Sequence, residues 1–202
     1  MSIDLLKKEL QYVSHKVYQK GYTQATGGNI SVRIPGTDHV LIKQSGVSLG
    51  EVSREDALIV NMEGEVIEGQ GKPSKEIGFH LGILKVRPDV NAIVHCHPNY
   101  AIGYACLGME LPLPTVTARK LLGHVPVADV APSGSKELAQ YVTEVFEKYP
   151  DIKIALMKDH GVCAVGATLE AAYNVVDLAE ATAKQAFIVS QLQANLNIPV
   201  TS

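Results

Sequence analysis

Leu6, Leu10, Val13 and Val17 recur at helical spacing through residues 3–20, with Ser2 placed to cap the helix and Gly21 to stop it. The period then shortens to that of strands. "TGGNISVRI" alternates after its glycine pair, and "HVLIKQSG" runs apolar into a turn. "ALIVNMEGEVIEG" reads as a hairpin turning at Glu63-Gly64. After the loop "GQGKPS", Ser74 can cap a helix over 75–86, a strand follows over 91–97, and Pro98 suits the first turn of a helix reaching Leu107. The proline-punctuated stretch 111–134 holds one short strand near Val125–Ala128. A helix over 135–149, the strands "IKIALMK" and "GVCAVG", and a helix over 168–194 capped by Thr168 complete the pattern. The spacing predicts a single α/β domain over residues 1–202, and the hairpins argue for a mainly antiparallel or mixed β-sheet.

Composition narrows the function classes. The 202 residues are 46% hydrophobic and 19% charged, enough for one sizeable core. A net charge of −3, with only Lys7-Lys8 and Arg119-Lys120 as adjacent basic pairs, gives no footprint for nucleic acid. No apolar run approaches the ~18 residues of a membrane span, and the charged start "MSIDLLKKEL" has no signal-peptide core. The expectation is a cytoplasmic protein with neither membrane nor nucleic-acid partner. Cys96, Cys106 and Cys163 form no C-x-x-C pair and read as buried reduced thiols.

The chemistry begins at "NAIVHCHP". On a strand, alternate side chains share a face, so His95 and His97 project together while Cys96 turns away. In "KDHG", His160 lies between two strands beside a glycine and can reach the same site. Three neutral imidazoles suit Zn²⁺ and leave a coordination position for substrate. In "GKPSKEIGFH", Glu76 falls in the first turn of the predicted helix, where the dipole favours a carboxylate. His80, one turn on amid apolar neighbours, reads as a core histidine or one that supports a ligand. His15 and His39 read as surface residues, and His124 is left open. The glycine- and hydroxyl-rich pieces "TGGNIS" and "QSGVS" offer backbone N–H groups for an anion. No P-loop or dinucleotide fingerprint is present.

In order and separation, "GGNIS", "KQSG", "KPSKE", "VHCHP" and "KDHG" resemble the class II aldolase/adducin family over residues 5–190. The resemblance implies a central, mainly antiparallel sheet flanked by α-helices, and a homotetramer with active sites at subunit interfaces. It makes His95, His97 and His160 ligands of one divalent metal per chain, and Glu76 a further ligand that also acts as acid or base. Zn²⁺ is the expected ion, with Mn²⁺, Co²⁺ and Fe²⁺ compatible with the same donors. It assigns the substrate phosphate to Gly28-Asn29, Ser45-Gly46 and Ser74-Lys75.

The activity so implied is cleavage of a ketose 1-phosphate of the L-fuculose 1-phosphate type through a metal-stabilised enediolate. Two departures keep a 3-oxo-tetronate 4-phosphate decarboxylase or a sugar-phosphate dehydratase in view. Lys75 stands where the family has a second serine, and "PLPTVTARK" lacks the tyrosine that serves aldolases as proton donor. Glu76, where an epimerase would carry aspartate, argues against that branch. A non-catalytic adducin-like interaction module is the alternative from another class, and the intact histidine and glutamate set speaks against it.

Overall fold

The computed structural model describes residues 2–196. Eight strands, β1 (Asn29–Arg33), β2 (Val40–Lys43), β3 (Ala57–Val60), β4 (Val66–Glu68), β5 (Ala92–Cys96), β6 (Val127–Ala128), β7 (Ile154–Met157) and β8 (Gly161–Gly166), form one open mixed sheet. Their spatial order is β4-β3-β2-β1-β5-β8-β7-β6. Every neighbouring pair is antiparallel except β6 and β7.

Both faces of the sheet are covered except along the edge strand β4, whose three residues are exposed, and "ALIV" of β3 and "IALM" of β7 are buried at every position rather than alternating. On one face α1 (Ile3–Gln19), α3 (Asn99–Cys106), α4 (Val116–Leu122) and α6 (Leu169–Leu196) pack over Val94, Cys96, Val162 and Ala164. On the other, α2 (Ile77–Val86) and α5 (Lys136–Lys148) pack over Ile93, Cys163 and Val165. The α5 side chains that reach this core, Leu138, Val142 and Phe146, are spaced four apart, as one helical face requires. Among the described residues no helix is long and apolar enough to cross a membrane.

The single-domain α/β expectation with a mainly antiparallel sheet agrees with this architecture, including the hairpin of β3 and β4, with Gly64 at φ 85 in its turn. Four details differ. The helix expected over 75–86 begins at Ile77, because Ser74 turns the chain and Glu76 occupies the cap position with its carboxylate directed elsewhere. The helix α4 was not expected. Thr115 caps it by accepting from the Ala118 N–H at 3.1 Å, but Pro112, Pro114 and two β-branched residues disguise its start. Strand β6 is two residues long, at 127–128. Cys106 is exposed at the end of α3, unlike the buried Cys96 and Cys163.

Candidate functional site

The central strands carry the histidines. His95, near the end of β5, faces Asn29 on β1 and Cys163 on β8, and is fully buried. His97 follows directly after β5. His160 arrives on the three-residue turn between β7 and β8, where Asp159 takes the left-handed conformation (φ 55) that aspartate tolerates better than most residues. Gly161 lets this turn lie against the other two rings. A Cβ there would stand 2.5 Å from the Cys96 carbonyl oxygen and 2.7 Å from His97 Cδ2. The ring centroids of His97 and His160 are each 4.9 Å from that of His95.

The buried Glu76 carboxylate closes the cluster. Its Oε2 accepts from Asn29 Nδ2 at 2.8 Å and lies 3.2 Å from His95 Nε2. Its Oε1 accepts from the Ser133 hydroxyl at 2.8 Å and lies 3.2 Å from His160 Nε2. Burial alone would raise the carboxyl pKa. The His95 imidazole, then His160 and the Asn29 amide, outweigh burial and hold Glu76 well below the usual carboxylate range.

Behind Asn29 stands His80, fully buried, with Nε2 2.5 Å from Asn29 Oδ1 and Nδ1 2.7 Å from Ser31 Oγ. Burial first, and the His95 charge second, pull its pKa down to about 3, so the ring is neutral. The carboxylate at the end of the chain fixes every hydrogen. Asn29 must present its NH₂ to Glu76, His80 Nε2–H donates to the Asn29 carbonyl oxygen, and Ser31 donates to Nδ1. His80 is thus the core histidine that supports a site residue, as its apolar neighbours in the sequence suggested.

These groups form one wall of a cleft of about 300 Å³ that Thr26, Gly27, Gly28, Asn29, Lys43, Ser45, Gly46, Ser74, Lys75, Glu76, Ser133, His97 and His160 line. Loops from distant parts of the chain meet there: the Ser45 N–H donates to the Lys72 carbonyl at 2.8 Å, and Gln44 bridges to Pro73. All six residues expected at the phosphate line the cleft, with His95 behind them.

Lys43 and Ser133 also line it and were not singled out from the sequence. Lys43 is 2% exposed at the end of β2 and donates to the Thr26 and Gly28 carbonyls at 3.3 and 3.4 Å. Burial lowers its pKa to about 8 against the opposing pull of Glu76 and Asp56. Its signal was a lysine closing the apolar run "VLI" just before Ser45-Gly46. Ser133, 57 positions from Glu76, had none. Lys75 is exposed at the cleft. The other histidines lie elsewhere: His15 against the Val52 carbonyl at 2.9 Å, His39 in the turn between β1 and β2, and His124 paired with Glu110 at 3.0 Å.

The donor set suits a divalent cation. His95 Nδ1–H donates to the Val162 carbonyl at 2.9 Å, which directs Nε2, the atom this ring can offer a metal, inward. That nitrogen is 3.1 Å from His97 Nε2, so electron-rich atoms converge on one point. Burial, then the charges of His95 and His160, lower His97 to about 3, which keeps it available as a neutral ligand. One ligand atom from each of His95, His97 and His160 lies within 4.8 Å of the others.

Comparison with known proteins places the chain in a family. L-fuculose phosphate aldolase of Methanococcus maripaludis (strain C7) is 33% identical over 90% of this chain and 96% of its own length. A 3-oxo-tetronate 4-phosphate decarboxylase of Haemophilus influenzae is 36% identical over 91% of this chain and 88% of its own. A solved L-fuculose 1-phosphate aldolase superposes with a TM-score of 0.82 at 31% identity, covering 98% of this chain and 90% of that one. The family described as Class II Aldolase and Adducin N-terminal domain matches residues 8–187, and the chain belongs to it.

Proposed function

We propose that the protein is a metal-dependent sugar-phosphate aldolase that cleaves a ketose 1-phosphate of the L-fuculose 1-phosphate type. The observation that carries this reading is the convergence of three imidazoles and a buried carboxylate on a cleft lined by glycine, serine, asparagine and lysine residues whose donors suit a phosphate. His95, His97 and His160 would hold one divalent ion, with Zn²⁺ the first candidate and Glu76 a further donor. When bound, that ion supplies Lewis-acid stabilisation of the negative charge left on the substrate.

The residues of the chain do the rest. The backbone and side chains of Gly28, Asn29, Ser45, Gly46 and Ser74 bind the phosphate, with the Lys43 ammonium beneath them. Held there, the substrate presents its C3–C4 bond to Glu76. When that bond breaks, the C4 hydroxyl loses its proton, C4 becomes the aldehyde, and the electron pair stays on C3 as part of an enediolate. Glu76 delivers the proton that C3 then takes, a transfer typically contributing ~10²–10⁴-fold. Dihydroxyacetone phosphate and an aldehyde result.

Lys75 supports a second reading. It is exposed at the cleft with no ion pair among the described residues, and the Haemophilus influenzae decarboxylase is a relative at 36% identity. A 3-oxo-tetronate 4-phosphate would place its carboxylate by that ammonium. Loss of CO₂ from C1 leaves the pair on C2, and protonation there again gives dihydroxyacetone phosphate. Screening ketose 1-phosphates against 3-oxo acid phosphates, with detection of aldehyde and of CO₂, separates the two. Metal content near one ion per chain separates both from a non-catalytic module.

A homotetramer forms part of the same reading. An apolar groove of about 1100 Å³ between α3 and α6, lined by Tyr100, Tyr104, Met109, Leu113 and Phe187, is a surface that another subunit would cover. Sedimentation equilibrium gives the subunit number.

A further inference from the structure

Helix α6 reaches toward the histidine cluster with two carboxylates, one acting on each side of His97. Asp177 Oδ1 accepts from the Tyr22 hydroxyl at 2.5 Å, and the Tyr22 carbonyl oxygen accepts the His97 N–H at 2.6 Å. Lys20 Nζ, 3.1 Å from the same oxygen, holds that carboxylate in turn. Glu180, on the same face of α6, accepts from the N–H groups of Tyr100 and Ala101 at 3.0 and 2.9 Å. These belong to the first turn of α3, where backbone N–H groups have no partner inside the helix. A side chain at the cap position would ordinarily serve them. Pro98 has none to offer, so a carboxylate 80 positions from Tyr100 takes its place, at the end of the dipole that favours it.

His97 depends on such support more than His95 does. His95 lies within β5, between β1 and β8, and its Nδ1 is fixed by the Val162 carbonyl. His97 lies just past the end of the strand, and among the described residues the only hydrogen-bond contact of its ring is that with His95. Its backbone must therefore place the ring. The Tyr22 carbonyl fixes one flank, and the start of α3 fixes the other through Pro98, whose ring locks φ at −72. We propose that Asp177 and Glu180 are positioning residues that hold His97 in place from both flanks so that it can ligate the metal. The helix that carries them is itself rigidly seated, with Val176, Ala179 and Ala183 buried in the core against β5 and β8.

The inference rests on His97 being a metal ligand, and not on which substrate is cleaved. Zn²⁺ affinity is measured by competition with a chromophoric chelator, and the visible spectrum of Co²⁺-loaded protein is recorded. Wild type is compared with Tyr22→Phe, Glu180→Gln, Glu180→Ala, His97→Ala and Phe146→Leu, with the thermal midpoint of each metal-free protein. Tyr22→Phe removes only the hydroxyl that Asp177 grips, and Glu180→Ala releases the start of α3. Each should weaken Zn²⁺ binding about tenfold, the low end for groups that orient a ligand from outside, and shift the Co²⁺ bands. Glu180→Gln keeps one acceptor for two N–H groups and should fall between wild type and Glu180→Ala. Phe146 is buried near the end of α5, on the other face of the sheet. Phe146→Leu should lower the thermal midpoint and leave affinity and spectrum as in wild type.

Wild-type affinity and spectrum in Tyr22→Phe or in Glu180→Ala would overturn the two-sided hold on His97. Equal weakening in Phe146→Leu would overturn it as well, because affinity would then follow overall stability. If Glu180→Ala does not fold, Glu180→Gln and Tyr22→Phe decide the matter by the same readouts. Wild type that binds no metal, or His97→Ala that binds it as tightly as wild type, would overturn the metal reading itself and this inference with it.

Discussion

Replacing His80 by glutamine changes how stability depends on pH, and the buried hydrogen-bond chain sets the size of the change. His80 is fully buried between Ser31 and Asn29, and its pKa in the fold is about 3 against an ordinary 6.5. Below 6.5 the unfolded chain takes up a proton that the folded chain refuses. The His80 contribution is therefore complete above 6.5 and declines as the pH falls toward 3. Each pH unit within that window removes about 1.4 kcal/mol, so lowering the pH by two units from 6.5 removes about 2.7 kcal/mol through this residue. Glutamine can still donate to Asn29 and accept from Ser31, but it does not titrate. Urea denaturation of metal-free wild-type and His80→Gln protein, at about pH 7 and about pH 4.5, measures the difference directly. All other ionisable groups are common to the two proteins. The variant should lose about 2–3 kcal/mol less than wild type between the two pH values. Parallel losses would show that His80 is not held neutral, and the hydrogen assignment along the chain to Glu76 would fall with it.

Other substitutions examine the remaining parts of the site. His97→Ala should reduce bound metal from about one ion per chain to a small fraction by elemental analysis, with the secondary structure intact by circular dichroism; full metal retention would remove His97 from the ligand set. Lys43→Met should raise KM for a phosphorylated substrate by roughly ten- to a hundredfold, the worth of a charge-assisted hydrogen bond. Because the free lysine loses its proton above about 8, wild-type KM should climb through that pH while that of the variant stays flat. Lys75→Ser should cost a carboxylate-bearing substrate roughly ten- to a hundredfold in kcat/KM and a plain ketose phosphate much less. Equal losses would assign Lys75 to the phosphate, and no loss would leave it a solvated surface residue.

What could be read in the sequence was whatever followed a short local period. His95 and His97 are two residues apart on a strand, so their shared face follows from the pleat, and His160 is announced by the glycine that must follow it. Glu76 was placed at the right end of its helix, yet it occupies the cap rather than the first turn, because its carboxylate serves the cluster and not the helix. Lys43 was hidden because a charged residue ending a strand ordinarily marks where the strand meets water. Here the loops of Thr26 and Gly28 close over it. Ser133 was beyond reach for a simpler reason: only the packing of the loop before α5 against Lys75 brings it to Glu76, and no periodicity encodes that contact.

The strand order carries a consequence for how such a protein can diverge. The three histidines sit on or beside β5 and β8, next to β1 in the middle of the sheet, where each strand is pinned by two neighbours. Lys75 and Ser133 sit on connecting segments, at positions where the chain meets solvent. The histidine floor and the exposed rim of the cleft thus belong to parts of the fold with very different tolerance of mutation. On the proposed function, a lineage can exchange the exposed residue at 75 while the floor, fixed by sheet hydrogen bonds and by close approaches such as that at Gly161, stays unaltered. Laboratory evolution of new carbon–carbon chemistry should therefore randomise the exposed segment at Lys75 first and hold β1, β5 and β8 constant.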